Sequence, residues 1–162
     1  MSGETETAIL AGGCFWIMQH LLCDRDGVVS TRPGRIGGES DNPTEEDDGG
    51  HAEAVEVVFD PGRISFRGLL EYFFQVHRPD LGEDLVGSAY RSEIFYTTDE
   101  QRGVAEEMIS AVDASGHWPG KTVTRVSEAS RFWEAEAEDR GYLRRFPDGC
   151  KPPFPRAGVE AS

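Results

Sequence analysis

The sequence has little positive charge and no long apolar run, and each shortage excludes a class of protein. Its 162 residues hold 16 basic and 30 acidic side chains, a net charge of −14, so no basic stripe exists to neutralise the phosphates of a nucleic acid. No apolar stretch approaches the roughly 20 residues of a membrane-spanning helix, and the first residues, MSGETETAILAGG, lack the pattern of a signal peptide. We therefore expect a cytoplasmic protein that binds neither nucleic acid nor membrane.

Cysteine is also scarce, and the three cysteines are an odd number, which leaves no closed set of structural disulfides. The sequence holds no Cys-x-x-Cys or His/Cys spacing of a zinc site, no Gly-x-Gly-x-x-Gly turn after a strand and no phosphate-binding loop. We therefore expect no metal and no nucleotide cofactor. A reducing compartment favours a working cysteine over a structural one.

The spacing of apolar and turn-forming residues predicts a single domain, residues 1–162, in which strands and helices alternate. Period-2 patterns and short apolar runs indicate strands, and apolar residues at helical spacing indicate helices. The predicted strands are 7–13, 27–38, 51–61, 91–98 and 121–129, and the predicted helices are 14–24, 65–77, 99–116 and 134–146.

Local signals add the boundaries of these elements. Ser65 and Asp99 are the expected N-caps of the second and third helices, and Pro33 indicates an edge strand or a strand end. Segments 37–50 and 78–90 are predicted loops, and the chain ends in an irregular tail rich in proline and glycine. The predicted fold class is α+β, a small mixed sheet with helices packed on it.

One thiol lies at a turn between a predicted strand and a predicted helix. Cys14 follows two glycines and precedes Phe15 and Trp16 in the stretch GGCFW. A cysteine at a helix start faces the positive end of the helix dipole, which favours the reactive thiolate. The aromatic neighbours fit a pocket wall or the core equally well, so these residues alone leave Cys14 open between a nucleophile and a small buried hydrophobe.

Three further segments contain side chains that could take part in catalysis. His51 and Glu53 lie on one side of a strand, where a buried carboxylate could donate a proton, although a solvated strand end is the alternative. Tyr90 lies between a loop and a strand, either within reach of a ligand or simply half-buried. Cys150 lies in the tail, where it could approach another sulfur, whereas Cys23 on the first helix is expected to pack.

Taken in order, these segments resemble the methionine sulfoxide reductase A family. The matching stretches cover nearly the whole chain: GGCFW (12–16), GVVSTRPGRIGG (27–38), NPT (42–44), GHAEAVEVVFDP (50–61), YRSEIFY (90–96), FWEAEAEDRGYL (132–143) and PDGC (147–150). The resemblance implies a two-layer α/β sandwich with a ferredoxin-like core, and we expect a monomer.

The resemblance also implies a thiol-dependent reduction of the S epimer of methionine sulfoxide, free or in proteins. Cys14 would attack the sulfoxide sulfur, and Glu53 would protonate the oxygen with help from the Tyr90 hydroxyl. Phe15 and Trp16 would hold the methyl group of the substrate in an apolar pocket. Methionine would then leave, and Cys14 would remain as a sulfenic acid.

A second cysteine would complete the cycle in this family. The resemblance implies that Cys150 condenses with the sulfenic acid to a disulfide, which thioredoxin or another dithiol then reduces. The sequence alone leaves Cys23 open as the resolving cysteine, but position favours Cys150, because a tail moves more easily than a helix.

The chain departs from the family pattern at several positions. Ile17 and Gln19 stand where glycine and glutamate are usual, and the aspartate of the family falls on Leu85, next to Asp84. Arg35 stands where the family has one of its two tyrosines that bind the sulfoxide oxygen. These departures suggest that the polar half of the site has been retuned.

Arg35 has three alternative roles at this stage. Its guanidinium would lower the pKa of a nearby Glu53, donate a charged hydrogen bond to the sulfoxide oxygen, or bind the carboxylate of a small substrate. Other functions also stay open: a relative specialised for another small sulfoxide, a non-catalytic redox-sensing or binding module, and a cysteine hydrolase that uses Cys14 and His51.

Overall fold

The computed structural model describes residues 4–23, 25–44 and 46–135. Within them the chain forms six strands and four helices, as the α+β prediction requires. In chain order the elements are β1 (Glu6–Gly12), α1 (Phe15–Leu22), β2 (Val28–Ile36), β3 (Ala52–Phe59), α2 (Phe66–Val76), α3 (Glu83–Val86), a 3-10 turn (Ser88–Tyr90), β4 (Ser92–Tyr96), α4 (Asp99–Ser115), β5 (Arg125–Glu128) and β6 (Trp133–Glu134).

The strand order β5-β4-β1-β3-β2-β6 places β1 in the interior of a mixed sheet. Only β4 and β5 are parallel among these neighbours. Because β1 is antiparallel to both β3 and β4, the end of β1 lies beside the starts of those two strands. The topology therefore brings three predicted site residues, Cys14, Glu53 and Tyr90, to the same end of the sheet.

The long helices pack on one face of the sheet. Leu10 and Ile94 point from the central strands into a core that α1, α2 and α4 complete. The alternate residues, among them Ala11 and Phe95, point the other way into a smaller cluster, which the ring of Phe132 helps to cover. This is the two-layer arrangement that the family resemblance implies.

The helix caps confirm one prediction and correct another. Ser65 is the N-cap of α2, and its hydroxyl accepts the backbone N–H of Gly68 at 2.9 Å. The cap predicted at Asp99 is wrong, because Thr98 is the N-cap of α4 and accepts the N–H of Gln101 at 3.1 Å. Asp99 is instead the first helical residue, where its charge favours the helix dipole.

Segment 78–90 was expected to be a loop, but it contains α3 and the 3-10 turn. Each is a single turn, too short to leave a helical period in the sequence. Pro33 lies inside β2 opposite Val55, and the strand continues to Ile36. It neither ends the strand nor marks an edge at this point, because its carbonyl accepts the N–H of Ala135 at 2.9 Å beside the short strand β6.

The predicted helix 134–146 begins at a residue that the structure places in β6, and its remainder from 136 lies outside the described residues. The tail that contains Cys150 lies outside them as well. In the part of the chain that the structure describes, no helix is long and apolar enough to cross a membrane.

Candidate functional site

The turn that carries Cys14 needs both glycines before it. A Cβ atom at Gly12 would lie 2.9 Å from Phe73 and 3.0 Å from the His77 ring, so a larger residue would push α2 away from β1. Gly13 has a φ of 113°, a left-handed conformation that other residues rarely adopt. Together the two glycines lead the chain out of the sheet and into α1 at Cys14.

Cys14 is the N-cap of α1, in agreement with the helix start predicted at this residue. Its carbonyl accepts the backbone N–H of Met18 at 3.0 Å, and its side chain is half-buried. Cys14 and Tyr90 line the same open groove, which has a volume of about 530 Å³ and runs between α1 and the end of α2. The structure therefore brings the predicted nucleophile and the predicted tyrosine to one groove.

Glu53 is buried at the start of β3, with its carboxylate directed at the beginning of α1. Its Oε1 accepts the backbone N–H of Phe15, the residue directly after Cys14, at 3.1 Å. Its Oε2 lies 3.8 Å from Nη2 of Arg35, which stands directly opposite Glu53 in the β2–β3 register. Both groups are donors, so the carboxylate acts as an acceptor in this arrangement.

Arg35 is one of the most deeply buried side chains, with 2% of its surface exposed. Its Cζ lies 4.9 Å from the centre of the Phe15 ring, a cation–π distance. Phe15 in turn meets Trp16 edge to face, with ring centres 5.1 Å apart, and both aromatic side chains belong to the core. The guanidinium thus lies between the Glu53 carboxylate and the first aromatic residue of α1.

Arg91 holds the turn that carries Tyr90, and the sequence analysis did not single it out. Its Nη1 donates to the carbonyl of Ser88 at 2.9 Å and to the carbonyl of Gly50, just before β3, at 3.2 Å. Its Nε donates to the buried carboxylate of Glu93 at 2.7 Å. The guanidinium of Arg91, which its ion pair with Glu93 holds in place, therefore connects the segment before β3 to the Tyr90 turn.

The hydrolase interpretation requires His51 to act as a base for Cys14, and the structure uses His51 elsewhere. The Nδ1 atom accepts the backbone N–H of Gly38 at 3.0 Å, and Nε2 donates to the carbonyl of Ser40 at 2.8 Å. Because both ring nitrogens bond to the 37–50 loop, this histidine fixes the loop before β3.

The other departures from the family pattern lie in different surroundings. Gln19 ties α1 to β2, since its Nε2 donates to Oγ1 of Thr31 at 3.1 Å. Leu85 and Asp84 are both exposed on α3, and α3 contributes Val86 to the wall of the groove instead. The position of the family's aspartate is therefore an exposed leucine here, with Asp84 exposed beside it.

His77 is a further neighbour of the groove that the sequence analysis did not select. Its Nδ1 donates to the carbonyl of Phe73 at 2.6 Å, and its Nε2 accepts from the hydroxyl of Ser92 at 2.8 Å. Burial lowers the pKa of His77 to about 4, against smaller opposite effects of the Phe73 bond and of Asp80. A neutral imidazole therefore packs against Gly12, directly beneath the turn that leads to Cys14.

Cys23 is the C-cap of α1, at the far end of the helix from Cys14. At 1.5 Å per residue the two Cα atoms are about 13 Å apart, whereas a disulfide requires roughly 7 Å or less. The helix therefore keeps Cys23 away from Cys14. Cys150 lies outside the described residues.

Comparison with known proteins gives the family of the chain. The family model "Peptide methionine sulfoxide reductase" matches residues 6–155. The peptide methionine sulfoxide reductase MsrA of Nocardia farcinica is 57% identical over 157 residues, which are 94% of this chain and 92% of that protein.

Two solved structures share the fold. Methionine sulfoxide reductase A of Corynebacterium diphtheriae has a TM-score of 0.72 at 29% identity, covering 98% of this chain and 84% of that one. Mxr1 from Saccharomyces cerevisiae, solved in complex with Trx2, has a TM-score of 0.59 at 25% identity, covering 88% and 87%. The chain belongs to the peptide methionine sulfoxide reductase family and is an oxidoreductase that reduces methionine sulfoxide.

Proposed function

We propose that this chain reduces the S epimer of methionine sulfoxide, free or in proteins, with Cys14 as the nucleophile. The observation that carries the proposal is the meeting of Cys14 and Tyr90 in one groove, with Glu53 bonded to the N–H directly after Cys14. The family of the chain supplies the reaction, and this geometry supports the roles of the residues.

The chemical step transfers the sulfoxide oxygen to Cys14. The thiol attacks the sulfoxide sulfur, the S–O bond breaks, and the products are methionine and a cysteine sulfenic acid. The substrate sulfur gains two electrons and the cysteine sulfur loses two. Because oxide is a poor leaving group, the oxygen must be protonated or strongly hydrogen-bonded during the attack.

Glu53 acts as a proton relay in this scheme. In the resting arrangement it accepts from the Phe15 N–H and faces the guanidinium of Arg35. A carboxylate held by two donors can take the proton of the Cys14 thiol and then pass it to the sulfoxide oxygen. Tyr90, which lines the groove together with Cys14, supplies a hydroxyl to the same oxygen.

Arg35 supplies the positive charge that stabilises the departing oxygen. It replaces a neutral hydroxyl donor of the family pattern with a charged one, which makes stronger hydrogen bonds. Its burial beside Glu53 and the Phe15 ring fixes its position. Phe15 and Trp16 are buried in the core directly after Cys14, and the groove lining does not include them, so we assign them the apolar support of the site rather than a direct contact in the groove.

Cys150 resolves the sulfenic acid. Condensation of the Cys150 thiol with the Cys14 sulfenic acid forms a disulfide and releases water. The length of α1 argues against Cys23 in this role. Because Mxr1 has been solved in complex with Trx2, we propose thioredoxin as the dithiol that reduces the disulfide, in the cytoplasm.

Single-turnover reduction of the separated S and R epimers tests the function, with thiols counted before and after. With the S epimer we expect each protein molecule to form one methionine and to lose two thiols. With the R epimer we expect no methionine and no loss of thiols. Reduction of both epimers, or methionine formation without thiol loss, would contradict the proposal.

The role of Arg35 is tested by comparing Arg35→Met and Arg35→Tyr with Arg32→Met. Arg32 is a matched control on the same strand, paired with Glu56 across the same β3 neighbour. We expect Arg35→Met to slow the single turnover about 100-fold, the usual loss on removing one such donor, and Arg35→Tyr to recover part of it. Faster turnover in Arg35→Met would mean that the guanidinium only restrains Glu53.

A further inference from the structure

The groove beside Cys14 extends well beyond the thiol. Its wall is mainly apolar and comes from α1, the end of α2 and the segment before β4: Ile17, Met18, Leu21, Val76, Leu81 and Val86. A volume of about 530 Å³ lies in the range of sites that hold drug-sized ligands. One methionine sulfoxide side chain therefore fills only part of this groove.

Ile17 is the most exposed apolar side chain in this wall. It is 63% exposed and lies three residues after Cys14, so it projects from the first turn of α1 on the side of the thiol. Tyr90, which is 44% exposed, borders the same groove. An isoleucine in water gains free energy when a ligand covers it, and here the covering ligand would also contact the nucleophile.

The charge at the rim of the groove favours an apolar occupant over an acidic one. Arg78 is the cationic residue of the lining, and its guanidinium makes two hydrogen bonds to Asp80, each 2.8 Å long. This bidentate pair occupies the Nε–Nη2 edge of the guanidinium, one of the edges through which an arginine binds a carboxylate. The groove thus offers hydrocarbon contact rather than a free positive charge.

We propose that this groove binds the apolar side chain next to methionine sulfoxide in a polypeptide, and that Ile17 selects it. The inference rests on the proposed function of Cys14. Only three bonds separate the sulfur of methionine from its Cα, so a sulfoxide that reaches Cys14 brings the substrate backbone to the rim of the groove. The side chain of an adjacent residue then lies against Ile17.

Two acetylated, amidated pentapeptides test the proposal, identical except for leucine or serine beside the methionine sulfoxide. We expect wild type to prefer the leucine peptide about fivefold in kcat/KM, the effect of burying little more than one methylene group. The change should appear in KM and leave the single-turnover rate at saturation the same for both peptides. N-acetyl methionine sulfoxide, which has no neighbouring side chain, measures the reaction by itself.

Ile17→Ala should bring the leucine-to-serine ratio close to one, and Ile17→Leu should restore it. Val29→Ala is the matched control, because Val29 on β2 is equally exposed, at 61%, and is not part of the groove wall. This control should keep the wild-type ratio. Alanine favours helix formation, so Ile17→Ala should retain the fold.

The outcomes separate the inference from the function on which it rests. If wild type turns over all three sulfoxides but treats both peptides alike, the groove does not select an apolar neighbour. A preference that survives in Ile17→Ala excludes Ile17 as its source. If none of the sulfoxides is reduced, the proposed function itself fails.

Discussion

Lowering the pH from 7 to 4 is expected to destabilise the protein through the imidazole of His77. This side chain lies between α2 and the β1–β4 part of the sheet, and burial lowers its pKa to about 4. Its Nδ1 donates to the Phe73 carbonyl and its Nε2 accepts from Ser92. Protonation would place a second N–H and a positive charge in this buried position.

The size of the effect follows from the pKa difference between the two states of the chain. In the unfolded chain the imidazole has its ordinary pKa of 6.5, and in the folded chain about 4. Each pKa unit is worth about 1.36 kcal/mol, so the difference of about 2.5 corresponds to about 3 kcal/mol.

The sign follows from which state binds the proton. Between pH 6.5 and 4 the unfolded chain protonates His77 and the folded chain does not, so the free energy of unfolding falls as the pH falls. The contribution is fully present above pH 6.5 and is lost at pH 4 and below.

Urea unfolding at pH 7, 6, 5 and 4, followed by tryptophan fluorescence, measures this contribution in wild type and in His77→Gln. Glutamine keeps one donor and one acceptor but does not titrate. Because both proteins share the remaining histidines and all carboxylates, the difference between their pH dependences isolates His77. We expect wild type to lose about 3 kcal/mol more than the variant over this range. If the free energies of unfolding of wild type and variant fall by the same amount between pH 7 and pH 4, the reasoning about His77 is wrong.

Three further changes test other parts of the site. Cys23→Ser should reduce methionine sulfoxide in a single turnover as wild type does, because α1 separates Cys23 from Cys14. A thiol titration should then show that the two remaining thiols are lost for each methionine formed. Gly13→Ala should lower the free energy of unfolding in urea by about 1–3 kcal/mol, since its φ of 113° strains any side chain. Glu93→Ala should lower it by about 3–5 kcal/mol, because it leaves the buried guanidinium of Arg91 without its carboxylate; an effect below 1 kcal/mol would contradict this account.

The elements that the sequence predicts well are those with strong local signals. β3 alternates and ends before Asp60, and α2 has a hydroxyl cap and an apolar stripe. The elements it misses are single turns and the two-residue strand β6, whose formation depends on contacts with distant residues. The pairing of Trp133 with Arg35 joins residues nearly a hundred positions apart, and no local pattern contains it.

The residues around the site also divide into those that a local sequence pattern indicates and those that it does not. The turn that carries Cys14 was predictable from its two glycines, and the structure explains that turn by the close approach of α2 at Gly12 and the left-handed Gly13. Arg91 and His77 were not identifiable, since their roles lie in bonds to backbone carbonyls and neighbouring strands. An arginine or histidine in the sequence looks the same whether it is buried and bonded or solvated.

The register of β2 and β3 has a consequence for the chemistry of the departing oxygen. Because Arg35 lies directly opposite Glu53, a substitution at position 35 acts on the carboxylate and, in the mechanism that we propose, on the substrate oxygen as well. A tyrosine would offer the oxygen a neutral donor and leave the carboxylate with less positive charge beside it. In the proposed mechanism an arginine offers the oxygen a charged hydrogen-bond donor and places positive charge beside the Glu53 carboxylate. The relay that we propose therefore draws its proton from the thiol of Cys14, so that attack on the sulfur and protonation of the oxygen belong to one step.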